Sequence, residues 1–270
     1  MQLTARDKKL FELLNRYHVL SSRQVKTLVF ANLANTNVFR RLRLLESKGL
    51  ILRSDGLPLG ESVWILRSKG AANLVTEWHP YSINKNTLYH DVTLTELRLA
   101  LESVGLGKSW KSEQTLKRET FDHRLRDDED RKNIPDGLLP VPIGDVFSVW
   151  AVELELSPKT KPRYAEIFRR YKLTSALRRI WYIVPSHEMG KLLLRCWQES
   201  RWDSVGPVLS YSLLSDVIEN PFETVLISDK GSTRLSEITK LVEPKKSAAK
   251  SDHSDDQGVI TLEHEKTRAA

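Results

Sequence analysis

The segment from residue 135 to residue 161, PDGLLPVPIGDVFSVWAVELELSPKTK, constrains the fold of this chain more than any other part of the sequence. Two apolar runs, 137–141 and 146–156, flank a Pro-Ile-Gly-Asp tetrapeptide, and Gly-Asp between β-type runs is typical of a hairpin turn. In the second run, three apolar residues alternate with Glu153 and Glu155. Those three are Val152, Leu154 and Leu156. Because alternate side chains of a strand share a face, we expect this trio in a core and both carboxylates on the opposite face.

Asp136 opens the partner strand of this hairpin and is expected close to the two glutamates. Three clustered carboxylates repel one another, and a hard divalent cation removes that cost. The predicted metal ligands are therefore Asp136, Glu153 and Glu155, with Mg²⁺ or Mn²⁺ as the cofactor. An ammonium group just past the strand, on Lys159, could stabilise the charged phosphate of a phosphodiester. The alternative is an amphipathic hairpin whose glutamates only face water.

Pro135-Asp136 followed by Glu153-Leu154-Glu155 resembles the PD-(D/E)XK nuclease motif, with Glu155 where the motif has lysine. The longer segment VELELSPKTKPRYAEIFRRY resembles the replication-relaxation family. Members join an N-terminal winged helix to a restriction-endonuclease-like domain, as do the MobC-type relaxases of some mobilisable plasmids. The lysine of such nucleases can migrate, so the resemblance implies Lys159 as the catalytic lysine, with Lys161 and Lys172 as further candidates.

The charge of the chain is concentrated near its N-terminus. Residues 1–80 contain 13 Lys and Arg against 6 Asp and Glu, so their net charge of +7 equals that of the whole 270-residue chain. A basic region of this size favours a polyanionic partner such as double-stranded DNA. One cysteine and the lack of an apolar run long enough to cross a bilayer predict a cytoplasmic protein without a membrane partner.

The order of elements within residues 1–80 also favours DNA binding. Thr4 and Ser21 precede two helical patterns, a third helix is expected from about residue 36 to Gly49, and two short strands follow. Three helices and a two-stranded wing resemble a winged helix-turn-helix domain, whose third helix enters the major groove. The predicted DNA-binding residues are Thr36, Asn37, Arg40, Arg41 and Arg43 on that helix and Arg53 on the wing.

Three regions are predicted along the chain: a winged helix-turn-helix domain over 1–80, a nuclease-like α/β domain over 86–240, and a disordered tail over 241–270. The second domain is expected to contain a mixed sheet of three or four strands. We also expect a helix over 68–78, a first strand over 110–116, an exposed charged loop over 118–133, and edge strands over 208–214 and 224–227. Glu96 and His90 on a helix over 86–104 are interpreted as a solvated side chain and a structural histidine.

Two functional hypotheses follow from these patterns. The first is a metal-dependent nuclease or relaxase that nicks or processes a plasmid origin of transfer, with Asp136, Glu153, Glu155 and Lys159 as catalytic residues. The second is a non-catalytic DNA-binding relaxosome accessory, or a replication or transcription regulator, with a degenerate nuclease fold. Other relaxosome or coupling proteins and a second copy of the chain are the expected protein partners. A weaker possibility is a protein-interaction module without DNA chemistry.

Overall fold

A computed structural model describes residues 1–57, 60–74, 76–78, 80–122, 134–174, 176–200 and 206–239. The tail predicted over 241–270 lies outside these residues, as does most of the charged loop predicted over 118–133. Within the described ranges, no helix is long and apolar enough to cross a membrane.

The N-terminal part of the chain packs three helices against a small antiparallel sheet. The helices are α1 (Ala5–Tyr17), α2 (Ser22–Val29) and α3 (Asn35–Ser47), and the strands are β1 (Val19–Ser21), β2 (Ile51–Asp55) and β3 (Ser62–Leu66). The strand order is β1-β3-β2. Thr4 and Ser21 cap α1 and α2 as predicted, each in a reciprocal capping box with the residue three positions on. A single apolar core lies between these helices and the sheet.

The helix predicted over 68–78 is shorter than expected, because α4 covers only Ser68–Ala71. The side-chain amide of Asn73 donates to the carbonyls of Lys69 and Gly70, which a continuing helix would use for its own backbone bonds. This local competition ends the helix after one turn.

The linking region contains α5 (Leu88–Ser103), β4 (Lys111–Ser112) and α6 (Glu113–Asp122). The strand predicted over 110–116 was therefore wrong after its first residues. The Ser112 hydroxyl accepts a hydrogen bond from the Thr115 amide, which turns the chain into a helix. The segment predicted as an exposed loop from residue 118 begins inside α6.

The predicted hairpin is present, formed by β5 (Gly137–Ile143) and β6 (Val146–Leu154). Gly144 in its turn has φ +60°, a conformation that favours glycine. The remaining elements are α7 (Lys161–Leu173), β7 (Arg179–Val184), α8 (His187–Glu199), β8 (Val208–Leu213), α9 (Leu214–Glu219), β9 (Val225–Ser228), β10 (Gly231–Arg234) and α10 (Leu235–Ile238).

These strands form one seven-stranded mixed sheet in the order β10-β9-β8-β7-β6-β5-β4. The pairs β6–β7 and β7–β8 are parallel, whereas β5–β6 and β8–β9 are antiparallel. The prediction of three or four strands was too low. The expected edge strand over 208–214 is an interior strand, because β9 and β10 extend the sheet beyond it.

The seven-stranded sheet is covered on both faces. One face packs on α5, α9 and α10 through residues such as Leu101, Val217 and Leu235, and it receives Val152 and Leu154 of β6. The other face packs on α7 and α8 through aromatic residues that include Tyr171 and Trp197. Leu156, expected in the core, is only partly buried at its margin.

Candidate active site

Asp136 and Glu153 lie opposite each other where β5 begins and β6 ends. Gly137 pairs with Val152, so Asp136, one residue earlier, stands across from Glu153. Residues opposite each other in an antiparallel pair share one face of the sheet. Burial and repulsion from Asp136 raise the pKa of Glu153 to about 8. The two carboxylates therefore form an electrostatically unfavourable pair.

Each of these carboxylates uses one oxygen in a hydrogen bond and keeps the other without one. Asp136 Oδ2 accepts from the Leu154 amide at 2.7 Å, and Glu153 Oε1 accepts from the Tyr171 hydroxyl. Among the described residues, no group donates to Asp136 Oδ1 or to Glu153 Oε2. Two carboxylate oxygens on one face are thus available to an electron-pair acceptor.

Glu155 and Lys159 are tied to each other. Glu155 is 5% exposed, and its Oε2 accepts from the Lys159 ammonium. Burial raises the pKa of Glu155, although the contact with Lys159 opposes that effect. The backbone amide of Lys159 donates to the Tyr164 hydroxyl at 3.0 Å, which fixes the turn between the end of β6 and α7.

The carboxylates fit Mg²⁺ in a restricted sense. Mg²⁺ is usually bound through one or two protein carboxylates, with water and phosphate oxygens completing its shell. Asp136 and Glu153 match that pattern. The described part of the chain contains no group of three or more His, Cys, Asp or Glu side chains arranged to hold a metal ion. The third predicted ligand, Glu155, is instead engaged by Lys159.

One cleft of about 720 Å³ gathers all the predicted catalytic residues. It is bounded by the ends of β5 and β6, by the N-terminal half of α5, and by residues of the N-terminal part of the chain. Its lining includes Asp136, Glu153, Glu155 and Lys159 together with Tyr17 and His18. The volume is within the roughly 300–1,000 Å³ range of ligand pockets. Glu96 lies outside this lining and pairs with Arg23 at 2.9 Å.

His90 is a cleft residue whose position the sequence did not indicate. Its Nε2 lies 3.3 Å from Asp136 Oδ2 and its Nδ1 lies 3.5 Å from Asp91 Oδ1. Burial alone would lower the pKa of His90, but the contacts with the two carboxylates outweigh it and raise the pKa to about 10. The adjacent His-Asp pair at the start of a helix was the only local signal.

The predicted DNA-binding residues fall into two groups. Thr36, Asn37, Arg40 and Arg43 are exposed on α3, and the Arg40 Nη2 donates to Asn37 Oδ1 at 2.6 Å. Arg41 instead binds the buried Asp7 of α1, through a 2.9 Å bond from Nε and a closer one from Nη2. Arg53 on β2 binds Asp55 at 2.9 Å and Ser62 at 3.0 Å.

The profile of the replication-relaxation family matches residues 11–181, which run from α1 through most of β7. The match covers more than half of the chain and contains every predicted site residue. The chain belongs to the replication-relaxation family. Membership in this family suggests a role in plasmid replication or relaxation. Comparison with curated proteins and with solved structures gave no match.

Proposed function

We propose that this member of the replication-relaxation family is a DNA-binding protein of plasmid mobilisation whose cleft nicks or processes an origin of transfer. The observation that carries this proposal is the pairing of Asp136 with Glu153 in one cleft, each with an oxygen that accepts no hydrogen bond from the described residues. In this proposal, α3 and the β2–β3 wing form a winged helix, and the seven-stranded sheet is a restriction-endonuclease-like scaffold.

A divalent ion bound at this pair would supply a Lewis acid and a more acidic bound water. The chain's own residues have separate roles. Asp136 and Glu153 hold the ion, and the Tyr171 hydroxyl orients Glu153 through Oε1. Lys159 is exposed enough, at 43% of its side chain, to contact a phosphate while its partner Glu155 stays buried. It would stabilise negative charge on the phosphate as the bond breaks.

The exposed face of α3 would position the protein on duplex DNA. Arg40 and Arg43 project from the same helix surface as Thr36 and Asn37, and arginine binds guanine edges and phosphates through several donors at once. Arg41 is assigned a different role, because its guanidinium is committed to Asp7.

The proposal is tested by nicking of supercoiled plasmid that carries the cognate origin, with Mg²⁺, with Mn²⁺ and with EDTA. We expect open-circle product only with metal. Asp136→Ala and Glu153→Ala should lower the rate by several orders of magnitude and leave DNA affinity nearly unchanged. Lys159→Ala should cost about 10²–10³-fold, as for one transition-state donor. Glu96→Ala, outside the cleft, is the matched control.

A second function is favoured by the Glu155–Lys159 ion pair, which engages both the residue in the motif's lysine position and its nearest replacement. In that case the chain is a non-catalytic relaxosome accessory or regulator, and its α/β part serves contacts with relaxosome proteins, coupling proteins or a second copy. Wild-type protein that binds origin DNA but neither binds divalent metal in calorimetry nor nicks the plasmid would establish this alternative.

A further inference from the structure

The end of β6 has a backbone that strand β5 does not pair. β5 begins at Gly137, which stands opposite Val152, so no β5 residue faces Leu154. Buried backbone groups need partners, and two side chains supply them here. The Leu154 amide donates to Asp136 Oδ2 at 2.7 Å, and the Leu154 carbonyl lies 3.1 Å from His90 Nε2.

The environment of the His90 ring identifies its donor atom. A carbonyl oxygen only accepts hydrogen bonds, and so does an ionised carboxylate. Because Leu154 O and Asp136 Oδ2 both lie within 3.3 Å of Nε2, this nitrogen must carry a proton. His90 is therefore a donor toward the peptide between Glu153 and Glu155 and toward Asp136 at the same time.

Asp91 and Tyr81 hold the other side of the His90 ring. Asp91 Oδ1 lies 3.5 Å from Nδ1, and Asp91 Oδ2 accepts from the Tyr81 hydroxyl and, at 3.1 Å, from Thr87. The Tyr81 ring in turn stacks on His18, with the ring centroids 5.9 Å apart and an interplanar angle of 13°. A continuous series of contacts thus joins the N-terminal part of the chain to Asp136.

We propose that His90 is a positioning residue of the cleft, a role that rests on the proposed metal centre. It fixes Asp136 and the Leu154 peptide, and so sets the separation of Asp136 from Glu153 and the direction of Glu155. Asp91 and Tyr81 orient the ring, so the geometry of the carboxylate pair depends on how the N-terminal part is docked. Residues that orient metal-binding carboxylates commonly change metal affinity by about 10–100-fold when removed.

The first test needs neither metal nor cleavage. The full chain is labelled with ¹⁵N-histidine, and His90 is assigned among the seven histidines by the signals missing from His90→Gln. We expect a downfield Nε2–H resonance that exchanges slowly with water. Asp136→Asn should shift that resonance, and Tyr81→Phe should shift the Nδ1 signal. Signals of His90 that neither substitution moves would overturn the proposal.

The second test measures Mg²⁺ affinity by calorimetry on variants whose melting temperatures show that they fold. His90→Leu and Asp91→Asn should weaken Mg²⁺ binding about 10–100-fold. His90→Gln, which keeps an amide donor near the Nε2 position, should retain most of the affinity. Glu96→Gln is the control and should match wild type. Unchanged affinity in His90→Leu would overturn the positioning role.

The two tests separate the inference from the proposed function. Wild-type protein that binds no Mg²⁺ would overturn the metal centre and with it the positioning of metal ligands by His90, even if the His90 resonance responds to Asp136→Asn. Wild-type protein that binds Mg²⁺ and nicks DNA, with His90→Leu equal to it in both, would overturn the inference alone.

Discussion

Arg41→Ala should destabilise the folded chain, although Arg41 is on the helix predicted to read DNA. Its partner Asp7 has a fully buried side chain, whereas the Arg41 side chain is 23% exposed. Breaking a buried ion pair by removing one partner costs about 3–5 kcal/mol. Asp7 keeps two donors from Thr4, at 2.7 and 2.8 Å, so we expect a loss nearer about 2–3 kcal/mol. The melting temperature should fall by roughly 5–10 °C.

The assay is thermal unfolding of the full chain followed by calorimetry, with Arg40→Ala as the matched control. Arg40 is exposed one residue away, and its removal should change stability by no more than about 0.5 kcal/mol. Equal melting temperatures for the two variants would refute the reasoning. So would a double-mutant cycle with Asp7→Asn that showed no coupling between Arg41 and Asp7.

The same pair makes a prediction about pH. Burial alone would raise the pKa of Asp7, but hydrogen bonds from Arg41 and Thr4 outweigh it and lower the pKa below 3.8. A depressed folded-state pKa gives stability that is present above the unfolded value and lost as pH falls through the folded value. The difference between wild type and Arg41→Ala should therefore shrink below about pH 4. A difference that stays constant down to pH 2 would contradict this account.

Three further predictions concern DNA, metal and packing. Arg40→Ala with Arg43→Ala should weaken duplex binding and reduce the slope of log affinity against log salt by about one unit for each phosphate that the variant no longer neutralises; an unchanged slope would exclude both residues from the phosphate backbone. Mg²⁺ affinity should rise with pH up to about 8, because Glu153 must lose its proton to bind the ion, and Glu153→Gln should remove that dependence in calorimetry. Gly137→Ala should cost about 1–3 kcal/mol in urea unfolding, since a Cβ there would lie 2.2 Å from Trp110 Cζ2, whereas Gly49→Asn, at an open position with φ +69°, should cost less.

Local signals predicted the parts of the fold that neighbouring residues determine. The caps at Thr4 and Ser21, the hairpin turn at Gly144 and the alternation along β6 each depend on a few consecutive residues. The placement of Asp136 across from Glu153 followed from the hairpin, because a two-residue turn fixes the register.

The features that the sequence left open depend on distant contacts. Arg41 was expected at DNA because its helix position suits it, but its partner Asp7 is 34 residues away. His90 meets the Leu154 carbonyl across 64 residues, and no pattern near either residue indicates that contact. The number of strands was underestimated because the short strands β9 and β10 carry little periodic signal.

Helix α5 takes part in the cores of both halves of the chain. Leu88 and Val92 at its start pack with Val19, Val63 and Ile65 of the small sheet, while Leu97 and Leu101 further along pack on the large sheet. A fragment ending at residue 80 would leave the outer face of the small sheet uncovered in water. Such a fragment should aggregate or dimerise through that face, whereas one extended to residue 104 should carry its own cover. Genetic dissection of DNA recognition in this chain should therefore cut after α5, and exchange of the N-terminal part between relatives should take this helix with it.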